Sequence, residues 1–212
     1  MIKIENFEVV GWEHAIRGMR NPLNSWDKSD SKFDNKVPYC TDCPYNKYDC
    51  LTKHYIHCMN IGVNDHDLMM KLVKAGTDHR KFMRMIVVYM DITAPMYWWK
   101  EFDTYKVGTV RNSCSTMHNI HKQDITLDDF SHEKLDGLAL DELEKAIITL
   151  NGLRCDYLSS KDKKYWDALI QLLPSSYNQL STVMMNYEVL RNIYHSRKNH
   201  KLEEWHEFCN LM

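Results

Sequence analysis

The chain has 212 residues, with 27 Lys and Arg against 29 Asp and Glu, a formal net charge of −2. That length suits one domain of about 150 residues, or one with an insertion, and the balanced charge lacks the basic field that duplex nucleic acid requires. No window approaches the ~18 apolar residues of a membrane span, and the N-terminus carries no signal-like apolar core; the expectation is a soluble, cytoplasmic protein with neither membrane nor duplex nucleic acid as partner.

The opening MIKIENFEVVG predicts a strand, through Ile2, Ile4, Phe7, Val9 and Val10. Residues 12–19 suit one or two helical turns. The following RNPLNSWDKSDSKFDNK has turn chemistry throughout, with Asn-Pro, Ser-Asp-Ser and Asp-Asn. Residues 64–74 predict a helix with an apolar stripe of Leu68, Met69, Leu72 and Val73, capped by Asn64 or Asp65 and stopped by Gly76. Residues 81–91 have a β-branched centre and predict a buried strand. Thr93-Ala94-Pro95 then predicts a helix start, with Pro95 in the first turn. Residues 138–153 and 161–173 read as helices. From Tyr177 onward Leu180, Val183, Met184, Tyr187, Leu190 and Tyr194 recur at spacings of three and four, which predicts one long helix. The sum is an α+β chain with more helix than strand.

Residues 40–58 read CTDCPYNKYDCLTKHYIHC. Cys40 and Cys43 have the Cys-x-x-Cys spacing of half a tetrahedral thiolate site. Cys50 and Cys58 would complete it, with His54 and His57 between them, although their spacing is irregular. The candidate is structural zinc in a Cys/His-rich insertion at about 36–60; the alternative is free thiols in a reducing compartment. The chain's seven cysteines cannot all pair internally.

Residues 98–118, WWKEFDTYKVGTVRNSCSTMH, concentrate binding groups. Thr104, Thr109, Asn112, Ser113, Ser115 and Thr116 offer short donors and acceptors for phosphate oxygens and base edges. Lys100, Lys106 and Arg111, with the distant Arg197, carry charge for one or two phosphates. Trp98, Trp99 and Tyr105 suit stacking on a base or an isoalloxazine ring, but a Trp pair on a helix beside Pro95 is more often core than ligand platform. No residue stands out as a catalyst.

His79, Ala94-Pro95, Lys100-Glu101, Thr109 and then Cys114 or Ser115 follow one another in a particular order. Asn186, Leu190, Asn192, Arg197 and Trp205 continue it. That order resembles the flavin-dependent thymidylate synthases. There, a histidine precedes a strand, an Ala-Pro opens a helix, and Arg-Gln and Arg-His-Arg follow. A Ser-x-Asn-Glu-x-Ser-x-Arg comes next, and an Asn- and Arg-bearing helix closes the chain. The resemblance covers residues 76–118 and 183–207, about a third of the chain.

It implies a synthase-like domain over 1–212, helix-rich around a small central sheet. It also implies a homotetramer holding flavin adenine dinucleotide (FAD) and deoxyuridine monophosphate at subunit interfaces. Nucleotide contacts would fall at Lys100, Glu101, Thr109, Cys114, Ser115 and Arg197. Flavin contacts would fall at His79, Thr104, Tyr105, Lys106 and Asn192. The departures are in the charges: Thr104-Tyr105-Lys106 replaces Arg-His-Arg, and Glu188 stands where an arginine is expected. Two readings stay open. One is a flavin-dependent enzyme acting on a pyrimidine deoxynucleotide. The other is a non-catalytic oligomer that holds a nucleotide, such as a phage protein sequestering a host signalling nucleotide.

Overall fold

The computed structural model describes residues 2–34 and 58–212. In chain order the elements are β1 (Lys3–Val10), α1 (Trp12–Arg20), β2 (Lys32–Asp34), β3 (Cys58–Asn60), α2 (Val63–Lys74), β4 (Val87–Pro95), α3 (Met96–Phe102) and β5 (Thr109–Ser113). They continue with α4 (Thr116–Asn119), α5 (Gly137–Ser160), α6 (Lys163–Leu172), β6 (Asn178–Asn186), α7 (Tyr187–Arg197) and α8 (Glu203–Asn210). Among the described residues, no helix is long and apolar enough to cross a membrane. The chain divides into two compact units, one of Met1–Val9 with Val87–Met212 and one of Val10–Ile86.

The larger unit is built on a four-stranded sheet of order β1-β4-β6-β5. β4 and β6 run antiparallel from Val87 opposite Asn186 to Pro95 opposite Asn178, and β5 adds to the far side of β6, also antiparallel. Side chains alternate across a strand. Val88, Met90, Ile92 and Ala94 of β4 therefore share a buried face with Val183 and Met185 of β6. Against that face pack Trp98, Trp99 and Phe102 of α3, Leu190 and Ile193 of α7, and Trp205 and Phe208 of α8. A second core joins Leu143, Ile147 and Leu150 of α5 to Leu169 of α6 and to Phe130.

Three expectations from the sequence are corrected here. The long C-terminal helix is a strand, β6, followed by two helices. Ser181, Val183 and Met185 are buried at period two, and the β-branched Thr182 and Val183 suit a pleated strand. The strand over 81–91 begins only at Val87; residues Arg80–Met85 form a 3-10 turn that buries the adjacent Phe82 and Met83. Pro95 ends β4 rather than entering a helix. It lacks an N–H to give the ladder, and the next N–H, that of Met96, bonds to the Tyr177 carbonyl at 3.0 Å.

In the smaller unit, α1 and α2 both pack on that 3-10 turn. Gly11, with φ +93°, opens α1 where a Cβ would lie 2.1 Å from the Met85 carbonyl oxygen. α2 is not capped by Asn64 or Asp65. The carboxylate of Asp30 accepts from the Asn64 and Asp65 N–H groups instead, at 3.0 and 3.1 Å. Asp65 is fully buried. Its Oδ1 accepts from Arg20 Nε at 2.6 Å, and its Oδ2 from the Ser29 and Ser31 hydroxyls and the Asp30 and Ser31 N–H groups. Burial alone would raise the Asp65 pKa. The bonds from the Ser31 and Ser29 hydroxyls, Arg20 and the Ser31 N–H prevail and hold it at about 2.

Candidate functional site

α3 turns Trp98, Trp99 and Phe102 into the core and leaves Tyr97 and Glu101, four apart, on one flank. The start of α3 is tied to the segment before β6 through Tyr97 N–H, which donates to the Ser175 carbonyl at 3.1 Å. The bend between α7 and α8 brings up His200, Lys201 and Leu202. These elements enclose an open cleft of 610 Å³, lined by Tyr97, Glu101, Ser175, His200, Lys201 and Leu202.

Glu101 organises that cleft. Its Oε2 accepts from Arg197 Nη1 at 2.6 Å and from the buried indole of Trp205 at 3.0 Å, and His200 Nε2 lies 3.3 Å away. His200 Nδ1 accepts from the Leu202 N–H at 3.1 Å, which puts the ring proton on Nε2, facing Glu101. Arg197, the last residue of α7, also donates from Nε to the Tyr105 hydroxyl at 2.8 Å and lies 4.8 Å from the Trp205 ring centroid. The ion pair is partly shielded, with the arginine side chain 17% and the glutamate 34% exposed. Tyr97 bonds to the buried Glu204. Burial, and then the hydrogen bond to Glu204 and its charge, push the Tyr97 phenol far above its ordinary pKa, so it stays a neutral donor.

A smaller cleft of 260 Å³ is lined by Phe102, Asp103, Tyr105, Lys106, Thr109 and Arg111. Arg111 is engaged on every nitrogen. Nη1 meets both Asp103 oxygens at 2.9 and 3.0 Å, Nε the Ser181 hydroxyl at 2.9 Å, and Nη2 the Gln179 amide oxygen at 2.7 Å. Its guanidinium also stacks 3.8 Å from the Trp99 ring centroid. Gln179 in turn donates to the Cys114 carbonyl at 2.9 Å, which fixes the end of β5. Thr109 Oγ1 is buried without a hydrogen-bond partner.

No protein-family model and no curated protein sequence matches the chain. Solved structures do. The flavin-dependent thymidylate synthase ThyX of Helicobacter pylori, complexed with FAD and dUMP, aligns over 99% of this chain and 90% of its own, with a TM-score of 0.63 at 14% identity. A second structure of that enzyme with FAD and dUMP gives 0.64 at 13% identity over the same shares. The UMP/dUMP methylase PolB of Streptomyces cacaoi, bound with 5-Br UMP, gives 0.53 at 9% identity over 92% of this chain and 75% of its own. The chain has the fold of the flavin-dependent thymidylate synthases.

On this synthase-like fold, the residues expected at the site are distributed unevenly. Glu101 and Arg197, 96 positions apart, meet directly, and Tyr105 joins them. Lys106 and Thr109 line the smaller cleft. Lys100 is exposed on α3 beside Glu101. Thr104 closes the end of α3 by donating to the Glu101 carbonyl at 2.8 Å. Cys114 is exposed just beyond β5, and Ser115 caps α4 by accepting from the His118 N–H. Asn192 is exposed on α7, and Asn186 caps that helix through the Val189 N–H. His79 belongs to the smaller unit, where it is exposed at the head of the 3-10 turn.

The stacking role for Trp98 and Trp99 is replaced by a core role, since they are 0% and 2% exposed. Of the cysteines read as zinc ligands, Cys40, Cys43 and Cys50 lie outside the described residues, and of Cys58 the backbone alone is described, in β3. Among the described residues, no group of three or more His, Cys, Asp or Glu side chains could hold a metal ion. Tyr97, Ser175, His200 and Lys201 line the larger cleft without having been singled out as a set. The Tyr97–Glu101 spacing was the one available signal; the others come from bends with no periodicity.

Proposed function

We propose that this chain is a nucleotide-binding protein that takes a pyrimidine nucleotide in the larger cleft and a flavin against the smaller one. The observation that supports the reading most is the fold shared over 99% of the chain with synthase structures solved with FAD and dUMP. The larger cleft, at 610 Å³, falls within the ~300–1,000 Å³ of small-molecule sites. It offers Lys201 as a cation, with Ser175, His200 and Glu101 in the same lining, and Arg197 bonded to Glu101 behind it.

The smaller cleft, at 260 Å³, falls below that ~300 Å³ bound and meets a dinucleotide over only part of its length. What it offers a phosphate or ribose is the exposed Lys106 side chain. In this reading, the rest of the flavin lies on a second copy of the chain. The open face of the sheet is the surface for that assembly; Tyr89, Met184 and Val110 form one cross-strand row there, with Tyr89 and Val110 exposed. A bound flavin would supply the redox chemistry. The chain's own residues would position the nucleotide against it.

The second reading is a protein that holds the nucleotide without turning it over, as a phage protein sequestering a host signalling nucleotide would. It is favoured by Thr104-Tyr105-Lys106 in place of the Arg-His-Arg expected for gripping flavin. Native mass spectrometry of the protein purified from cells tests both readings. The expected masses are those of an oligomer with one nucleotide per chain, a pyrimidine nucleotide together with flavin under the first reading and a nucleotide without flavin under the second. A monomer that carries no nucleotide and gains no thermal protection from dUMP, UMP or FAD would refute both.

A further inference from the structure

Glu101 Oε2 sits where three N–H groups converge, from Arg197, Trp205 and His200. Donors converging on one oxygen form an anion site, and here the anion is the protein's own. Glu101 also lines the 610 Å³ cleft, so the occupied site opens toward the space where a ligand would lie. Arg197 has no charge to spare. Its +1 is met by Glu101, and its Nε is bonded to the Tyr105 hydroxyl. The Glu101–Arg197 pair thus sums to zero.

We propose that Glu101 is a specificity-determining residue: its carboxylate occupies the anion site of Arg197 and sets the cleft against phosphate dianions. This rests on the nucleotide reading of the same cleft. A phosphate oxygen gains the three donors only by displacing Glu101, and it then faces that carboxylate at close range. Base and sugar contacts carry no such penalty. Arg197, behind Glu101, therefore adds little to discrimination between a nucleotide and its nucleoside, which is left to the exposed Lys201.

The experiment compares wild type with Glu101→Gln by calorimetry, using dUMP, deoxyuridine and inorganic phosphate. The amide keeps an oxygen for Arg197 and Trp205 but removes the charge. Expected for the variant is a gain of at least about tenfold in dUMP and phosphate affinity, since a charge-assisted bond becomes available, while deoxyuridine changes by less than about threefold. Unchanged or weaker dUMP and phosphate binding in the variant would overturn the proposal. If dUMP and deoxyuridine both fail to bind either protein, the nucleotide reading falls; a gain in phosphate affinity would still uphold the closed anion site. Arg197→Lys provides a check should Glu101→Gln fail to fold. An arginine already held by Glu101 contributes little to dUMP binding, so the lysine variant stays within about threefold of wild type, and a loss beyond about tenfold overturns the proposal.

Discussion

Asp65→Asn removes the charge from a fully buried carboxylate that collects five hydrogen bonds, from Arg20 Nε, the Ser29 hydroxyl, the Asp30 N–H, and the Ser31 N–H and hydroxyl. Arg20 is only 4% exposed and would keep its charge without a counter-ion. Breaking one side of a buried pair costs roughly 3–5 kcal/mol. The proton linkage gives a separate estimate. The Asp65 pKa falls from 3.8 unfolded to about 2 folded, which is worth about 2.5 kcal/mol at about 1.36 kcal/mol per unit. Because the folded value is the lower one, this stabilisation is complete above the unfolded value of 3.8 and is lost as pH falls through about 2.

Hydrogen exchange of the α1 and α2 amides, resolved by peptide, reads the effect within the unit that holds the pair. At about neutral pH the variant should lose about 3–5 kcal/mol of protection there. The difference from wild type should shrink by about 1.8 kcal/mol as both proteins are taken from about pH 4 to about pH 2. A loss under ~1 kcal/mol, or a difference that does not move with pH across that window, would refute the account of Asp65 as a charged buried organiser.

Gly11→Ala places a Cβ at φ +93° and 2.1 Å from a backbone oxygen that cannot rotate away. It should lower α1 protection by more than the ~1 kcal/mol of a left-handed backbone penalty alone, and protection equal to wild type would count against the tight approach to Met85. Asn186→Ala removes the α7 cap seen at Val189 N–H and should cost about 0.5–2 kcal/mol in urea unfolding; no change in the midpoint would contradict the cap. Arg111→Met keeps bulk over Trp99 but leaves Asp103, Gln179 and Ser181 without the guanidinium. Exchange at the β5 amides should rise there, and unchanged β5 protection would argue that the Cys114–Gln179 bond alone holds the strand end.

Much of the fold was legible because burial leaves a period in the sequence. The helices α1, α2 and α6 and the β-branched centre of β4 appear as expected, with the helix ends within a turn, while α5 runs about two turns beyond its expected end, to Ser160. β6 was misread because its apolar residues satisfy two periods at once. Leu180, Val183, Met184 and Tyr187 fit three-and-four spacing, while Ser181, Val183 and Met185 alternate. The deciding residue is Ser181, 1% exposed. A serine is a weak sign of burial on its own; here it is buried because its hydroxyl accepts from Arg111 Nε, 70 positions away in the chain. The α2 cap was misassigned for a related reason. Asp30 caps it from a loop more than thirty positions upstream, which local spacing cannot reveal.

The site shows the same limit more sharply. Arg111 and Arg197 both read from the sequence as cations available for phosphate. Both are in fact met by carboxylates on or just after α3, Asp103 and Glu101. Net charge records neither pairing. The consequence for function lies in the order of these partners rather than their number. Asp103 meets Arg111 at the end of β5 together with Ser181 and Gln179, so removing one partner leaves two others that hold the guanidinium against Trp99. Glu101, which meets Arg197, lines an open cleft, and Tyr105 also holds that arginine. A competing anion therefore finds one arginine locked and the other held behind a single carboxylate. Binding to this chain should accordingly respond far more to substitutions at position 101 than to substitutions at position 103.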